Sequence, residues 1–294
     1  MDTATSKRQK LRAGLTSPRP VVAVGAHDAL TAQLIENYGF NAVWIGGFGV
    51  STMAHALPDL NLVTMTEALT ASTRADAATG LPVVVDCDNG YGGLSNVVRT
   101  VTQFERAGVA AICVEDNLFP KRNSLYTGQS DRDLIPTGEQ AKRIRAGKRS
   151  QESEEFVFIA RVEALIAGLG VDEACRRADA YVEAGADAIL IHSRDKTLAE
   201  IEGFLGSWSG LGTVPLVAVP TMFPDFTTAQ LHAKGFQMII LANQPMRAAV
   251  QAIESTLDTL RSDPRAAAVD PHIASVNHIF DLVRTKETIE LEEG

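Results

Sequence analysis

The sequence predicts an α/β protein, a (β/α)8 barrel of the TIM type, on three observations. Eight short, almost continuously apolar runs punctuate the chain. Longer stretches with helical spacing separate them, and a glycine often stands where such a stretch gives way to the next run. The pattern occupies about 250 residues, the usual size of eight β/α units, in a chain of 294.

In order, the runs are 21–24, 42–45, 82–85, 110–114, 156–160, 188–191, 215–219 and 238–241. Near-continuous apolarity is expected of parallel strands covered on both faces. Before the second, fourth, sixth and eighth runs, Gly39, Gly108, Gly185 and Gly235 follow helix-like stretches, and glycine accepts the left-handed backbone that ends a helix. A doubly wound open sheet is the competing arrangement. No domain boundary is visible, so residues 1–294 read as one barrel domain with an N-terminal extension (1–19) and a helical tail (264–294). In the tail Ile273, Val276, Phe280 and Val283 recur at helical spacing. Their helix either packs on its own barrel or is lent to a neighbouring copy.

Bulk properties narrow the function. The formal net charge of -9 argues against a nucleic-acid surface. No apolar stretch is long enough to span a bilayer, and the polar, basic first 19 residues lack the apolar centre of a secretory signal. Cys87, Cys113 and Cys175 are odd in number and without CxxC spacing. They read as reduced thiols, and the protein as cytoplasmic.

In a barrel, side chains at the carboxyl ends of the strands converge on one mouth. Asp86 and Asp88 follow the third run and, in extended chain, point the same way. With Glu115 after the fourth run they form a cup of three carboxylates. All-oxygen ligands suit Mg²⁺, or Mn²⁺ as a substitute; the alternative is a set of caps and turn residues. Arg161 interrupts the fifth run. Its partner is either Glu163, in an ion pair, or the carboxylate or phosphate of a substrate. His192, after the sixth run, is either a hydrogen-bonded core residue or a ligand donor. Gly46-Gly47-Phe48-Gly49 offers backbone N–H groups to an anion, or makes a tight turn.

At these residues the chain resembles the phosphoenolpyruvate mutase and phosphonopyruvate hydrolase group of the isocitrate lyase superfamily. The resemblance runs from about Pro20 to Val283. It is carried by Asp86-Cys87-Asp88-Asn89-Gly90-Tyr91-Gly92, the segment from Glu115 to Ser124, the segment from Arg161 to Gly168, and the segment from Ala186 to Ser193. It implies a helix swapped between subunits of a homo-oligomer, a dimer or a tetramer, and Mg²⁺ near Asp86, Asp88 and Glu115. It implies that Arg161 and His192 hold a pyruvyl-like substrate, together with the backbone of Gly46, Gly47 and Phe48. Asp59 matches an acid beside the reacting phosphorus, while Lys121, Asn123 and Ser124 match a gating loop that closes over the phosphoryl group.

Within the group, Lys121-Arg122-Asn123-Ser124 follows the mutase pattern; the hydrolase carries Thr in place of the Asn. The catalytic Cys of the lyase branches is absent from this loop. Three positions depart from the family pattern: Asn117 stands for Lys, Asn89 for Thr, and the Gly46-Gly47 turn lacks a Ser. The resemblance implies interconversion of phosphoenolpyruvate and 3-phosphonopyruvate. Hydrolysis of phosphonopyruvate and a non-catalytic metabolite-binding barrel are the alternatives.

Overall fold

Eight parallel strands pair in chain order and close on themselves in the computed structural model, which describes residues 3–126 and 133–293. They are β1 (Val21–Ala26), β2 (Ala42–Ile45), β3 (Val83–Asp86), β4 (Ala111–Glu115), β5 (Val157–Val162), β6 (Ala188–Ile191), β7 (Leu216–Ala218) and β8 (Phe236–Leu241). β8 pairs with β1 to complete the barrel. The helices are α1 (Thr3–Leu15), α2 (Ala29–Asn37), α3 (Gly47–His55), α4 (Met65–Ala77), α5 (Leu94–Arg106), α6 (Thr137–Arg149), α7 (Gly170–Glu183), α8 (Ala199–Ser207), α9 (Thr228–Ala233), α10 (Gln244–Ser262), α11 (Val276–Leu282) and α12 (Thr285–Glu293). The expected barrel is therefore present, and the open sheet is not.

Alternation along each strand sorts the core into two layers. Val83, Val85, Ile112, Val114, Phe158 and Ile189 face outward and pack against helix residues such as Phe104, Ile144 and Tyr181. Their neighbours Val84, Cys113, Ile159, Leu190, Val217 and Met238 form the second layer, with Trp44, inside the barrel. Every strand contributes to both, which is why the runs read as continuously apolar.

The first 19 residues hold more structure than a polar extension. α1 buries Leu11 and Leu15 in the inner layer. Its basic side chains then donate to backbone carbonyls: Lys7 to Asp76 at 2.6 Å, Arg8 to Val109 at 3.2 Å, and Arg12 to Glu154 at 2.7 Å and Phe156 at 3.1 Å. Lys7 and Arg12 also pair with the carboxylates of Asp76 and Asp187.

Contacts divide the chain into Met1–Met246 and Arg247–Gly294. The division comes before Pro264, where the tail is expected to begin, because α10 continues the helical run to Ser262. In the second unit α11 is short, so Ile273 precedes it and Val283 follows it as the C-cap. Val276, Phe280 and Val283 are exposed. The outermost residues of both terminal segments, Met1, Asp2 and Gly294, lie outside the described residues. No helix among the described residues is long and apolar enough to cross a membrane.

Candidate active site

Alternation that fills the barrel interior also aims the chemistry. Asp86 continues the inward series of Val84, Glu115 that of Ala111 and Cys113, Arg161 that of Val157 and Ile159, and His192 that of Ala188 and Leu190. Register sets Glu115 directly beside Arg161 across β4 and β5. These four side chains line one cleft with Trp44, Gly46, Phe48, Asp59, Lys121, Asn123 and Ser124. The cleft holds about 590 Å³, counting the solvent at its mouth. Its other wall is Val219, Thr221, Ala242 and Asn243, from the ends of β7 and β8.

Asp88 does not follow Asp86 into this cleft. β3 ends at Asp86, and the backbone turns left-handed at Asp88 (φ 50°), so the two-residue alternation is lost. The reading that Asp86 and Asp88 point the same way is corrected on that ground. Asp88 instead sits beside Lys121 and Asn61, lining a small cavity behind the cleft with Gly47, Asp59 and Tyr91.

Two charged clusters result. In the first, the Lys121 ammonium lies 2.9 Å from Asp59 Oδ1 and pairs still more closely with Asp88 Oδ1. Asn123 Nδ2 donates to Asp59 Oδ2 at 2.7 Å, and Asn61 Nδ2 to Asp88 Oδ2 at 2.9 Å. Asn61 also accepts from the Lys121 backbone N–H at 2.6 Å, tying the loop to the α3–α4 connection. Burial pushes the Asp88 carboxyl up to about 6, against the pull of Lys121. Lys121 itself, despite burial, is held well above its ordinary value by Asp59 and Asp88.

In the second cluster Glu163 is the hub. It is fully buried, and its carboxylate accepts from Arg161 Nε, from His192 Nδ1 at 3.1 Å and from Ser124 Oγ at 2.7 Å. Arg161 in turn donates to Ser124 Oγ at 2.7 Å and lies 2.9 Å from His192 Nδ1. Burial alone would raise Glu163, but Arg161, His192 and Ser124 hold it well below the usual carboxylate range. Burial and the Arg161 charge keep His192 below its ordinary value, so the ring is neutral. Its Nε2 lines the cleft side buried and without a protein partner. Arg161 thus has both of the partners considered from sequence: the Glu163 ion pair, and a guanidinium edge on the cleft, where Nη1 stands 3.3 Å from Glu115. Ser124 contacts this cluster and not the Asp59 group.

Asp86 and Glu115 suit a hard cation. Glu115 Oε1 is buried with no hydrogen-bond partner, and burial pushes its carboxyl up to about 8 even beside Arg161. An oxygen left unpaired at that depth is costly unless a ligand answers it. Among the described residues no three acids, histidines or cysteines gather closely enough to cage a metal. Two carboxylates with water and ligand oxygens are the usual way Mg²⁺ is held.

Gly46-Gly47-Phe48-Gly49 is neither a free strand end nor a tight turn. It is the N-cap and first turn of α3, with no side chain capping it, and such a turn directs N–H groups and positive dipole at an anion. Lack of side chains is required here. A Cβ on Gly46 would come 2.8 Å from Trp44 Nε1, and one on Gly47 would come 3.0 Å from Asp88 Oδ1.

Asn61 and Glu163 were not singled out as site residues from sequence. Glu163 is legible as the acid two residues beyond Arg161; Asn61 carries no signal beyond its place near Asp59. Of the departures, Asn117 is buried and bridges to Leu134 at the base of the loop, and Asn89 is buried against Asn61.

Acids, a guanidinium and a neutral imidazole at the carboxyl ends of barrel strands are the equipment of a barrel enzyme. The model of the family described as phosphoenolpyruvate phosphomutase matches residues 11–261. The chain belongs to that family, within the isocitrate lyase superfamily. It is 43% identical over 278 residues to a phosphonopyruvate hydrolase of Variovorax sp. (strain Pal2), covering 94% of each chain. It is similar to a solved phosphoenolpyruvate phosphomutase from Streptomyces platensis subsp. rosaceus, with a TM-score of 0.93, 40% identity, and coverage of 97% of this chain and 98% of that one. A phosphonopyruvate hydrolase solved with oxalate and Mg²⁺ aligns with a TM-score of 0.90 and 41% identity over 98% of each chain.

Proposed function

We propose that the protein is a phosphoenolpyruvate mutase, interconverting phosphoenolpyruvate and 3-phosphonopyruvate. The observation that carries this reading is the state of Asp59, whose two carboxylate oxygens are engaged by Lys121 and Asn123. In the transfer the bond from phosphorus to the enol oxygen breaks and a bond from phosphorus to the methylene carbon forms. The pyruvate enolate is first released and then attacks. No proton enters or leaves, so the site needs positive charge, alignment and dryness rather than a base.

The residues supply these. Arg161 and the Nε2 face of His192 suit the carboxylate and oxygen of the pyruvyl unit. Lys121, Asn123 and the first turn of α3 suit the phosphoryl oxygens. Asp59 beside them lines up the phosphorus. The loop from Lys121 to Ser124 closes one side of the cleft and keeps water from intercepting the phosphoryl group. Asp86 and Glu115 are the residues that would hold Mg²⁺, or Mn²⁺ in its place. When bound, the cation supplies a compact positive charge that stabilises an enolate.

The second reading is phosphonopyruvate hydrolysis, favoured by the 43% identity to a protein of that name. It requires a water and a group to take its proton. Incubating the protein with Mg²⁺ and 3-phosphonopyruvate and following phosphorus by NMR separates the two. The expected product is phosphoenolpyruvate. Inorganic phosphate with an equal amount of pyruvate would instead establish the hydrolase, and turnover of neither compound would leave a binding protein.

A further inference from the structure

The loop lysine and a divalent cation have claims on the same group of acids. Lys121 reaches Asp59 and Asp88, each nearly buried, and Asn61 takes the remaining Asp88 oxygen. Asp86 is joined to this group through the Asp88 backbone N–H, 3.2 Å from its Oδ1. Glu115 is joined through its own N–H, which donates to the Asp88 carbonyl at 2.8 Å. The ammonium therefore sits one residue away from the two carboxylates that face the cleft, shielded from water.

We propose that Lys121 antagonises divalent cation binding at Asp86 and Glu115, and that Asp88 serves as the seat of the loop lysine rather than as a ligand of the cation. The inference rests on the reading that Asp86 and Glu115 hold such a cation. Two positive charges a few ångströms apart repel strongly where water is excluded, and salt screens a buried pair poorly. Coupling is reciprocal: a cation that Lys121 opposes must loosen Lys121 by the same factor. Cation entry thus weakens the tether that holds the loop to Asp59 and Asp88, and leaves Ser124 and Asn123 to hold it.

The test is Mn²⁺ binding to the full-length protein without substrate, read from the electron paramagnetic resonance signal of free Mn²⁺. K121M removes the charge and K121R keeps it, with circular dichroism checking that both fold. The proposal expects K121M to bind Mn²⁺ about fivefold tighter or more, and K121R to stay near the wild type. It also expects D86N to lose binding while D88N keeps it. Unchanged or weaker binding by K121M overturns the proposal, and so does K121R binding as tightly as K121M, because displacement of the loop rather than charge is then responsible. Should the wild type and K121M both fail to bind Mn²⁺, the cation reading itself falls and takes the proposal with it.

Discussion

Glu163 organises more of the cleft than any other single residue. Its one carboxylate fixes a strand residue (Arg161), the residue beyond another strand (His192) and a loop residue (Ser124). Replacing one partner of a buried pair leaves the other uncompensated, so Glu163→Gln is expected to cost about 3 kcal/mol of stability, read by chemical denaturation. KM should rise with it, because the anion-binding edge of Arg161 loses its support. A variant as stable as the wild type would show that Glu115 and Asp86 suffice for Arg161. His192 carries a pH dependence. Its proton is refused in the fold but accepted by the unfolded chain near about pH 6.5. Its contribution is therefore complete above that pH and is lost as the pH falls through it. Asp88 and Glu115, pushed upward, act in the opposite direction, so the useful comparison is with H192N. Between about pH 7.5 and 5.5 the wild type should lose about 1 kcal/mol more than H192N; parallel curves would remove His192 from the account.

Elements differ in how plainly they are written. The eight strands were readable because each is apolar on both faces, and Asp86, Glu115, Arg161 and His192 because they extend the inward-facing series by one step. α1 and α3 were not readable. α1 is held as much by Lys7, Arg8 and Arg12 donating to carbonyls as by Leu11 and Leu15, and hydrogen bonds to distant backbone leave no periodicity. α3 begins with three glycines in four residues, a poor helix composition that tertiary surroundings override. Asp88 was misdirected because strand alternation stops where the backbone turns, and nothing in the residue types marks that point. At this scale Leu11→Ala is expected to cost about 2–5 kcal/mol, measured by thermal or chemical unfolding. Asp116 makes a second case: it accepts from the Glu163 N–H at 2.9 Å, from Arg177 at 2.9 Å and from Tyr181 at 2.7 Å. It joins the end of β4, the residue after β5 and α7 in one buried node. Asp116→Ala should therefore lower kcat/KM as well as stability, although Asp116 does not line the cleft; full activity in the folded variant would count against that link.

For the whole molecule, the barrel brings together residues from 44 to 243 at one mouth, so no fragment carries the site. The second unit, from Arg247, leaves Val276, Phe280, Val283 and Leu291 exposed. Apolar side chains so placed are expected to be covered by association. Deleting residues 264–294 is therefore predicted to reduce the assembly seen by sedimentation velocity, while a wild-type monomer would dismiss the association altogether. The N-terminal helix has a consequence of another kind. Its residues leave the ribosome first, yet the carbonyls that receive Lys7, Arg8 and Arg12 are those of residues 76, 105, 109, 154 and 156. The earliest segment made has no destination until more than half of the chain has emerged. Contacts this distant in sequence slow folding, so the start of translation is the part of the barrel that must wait for the rest.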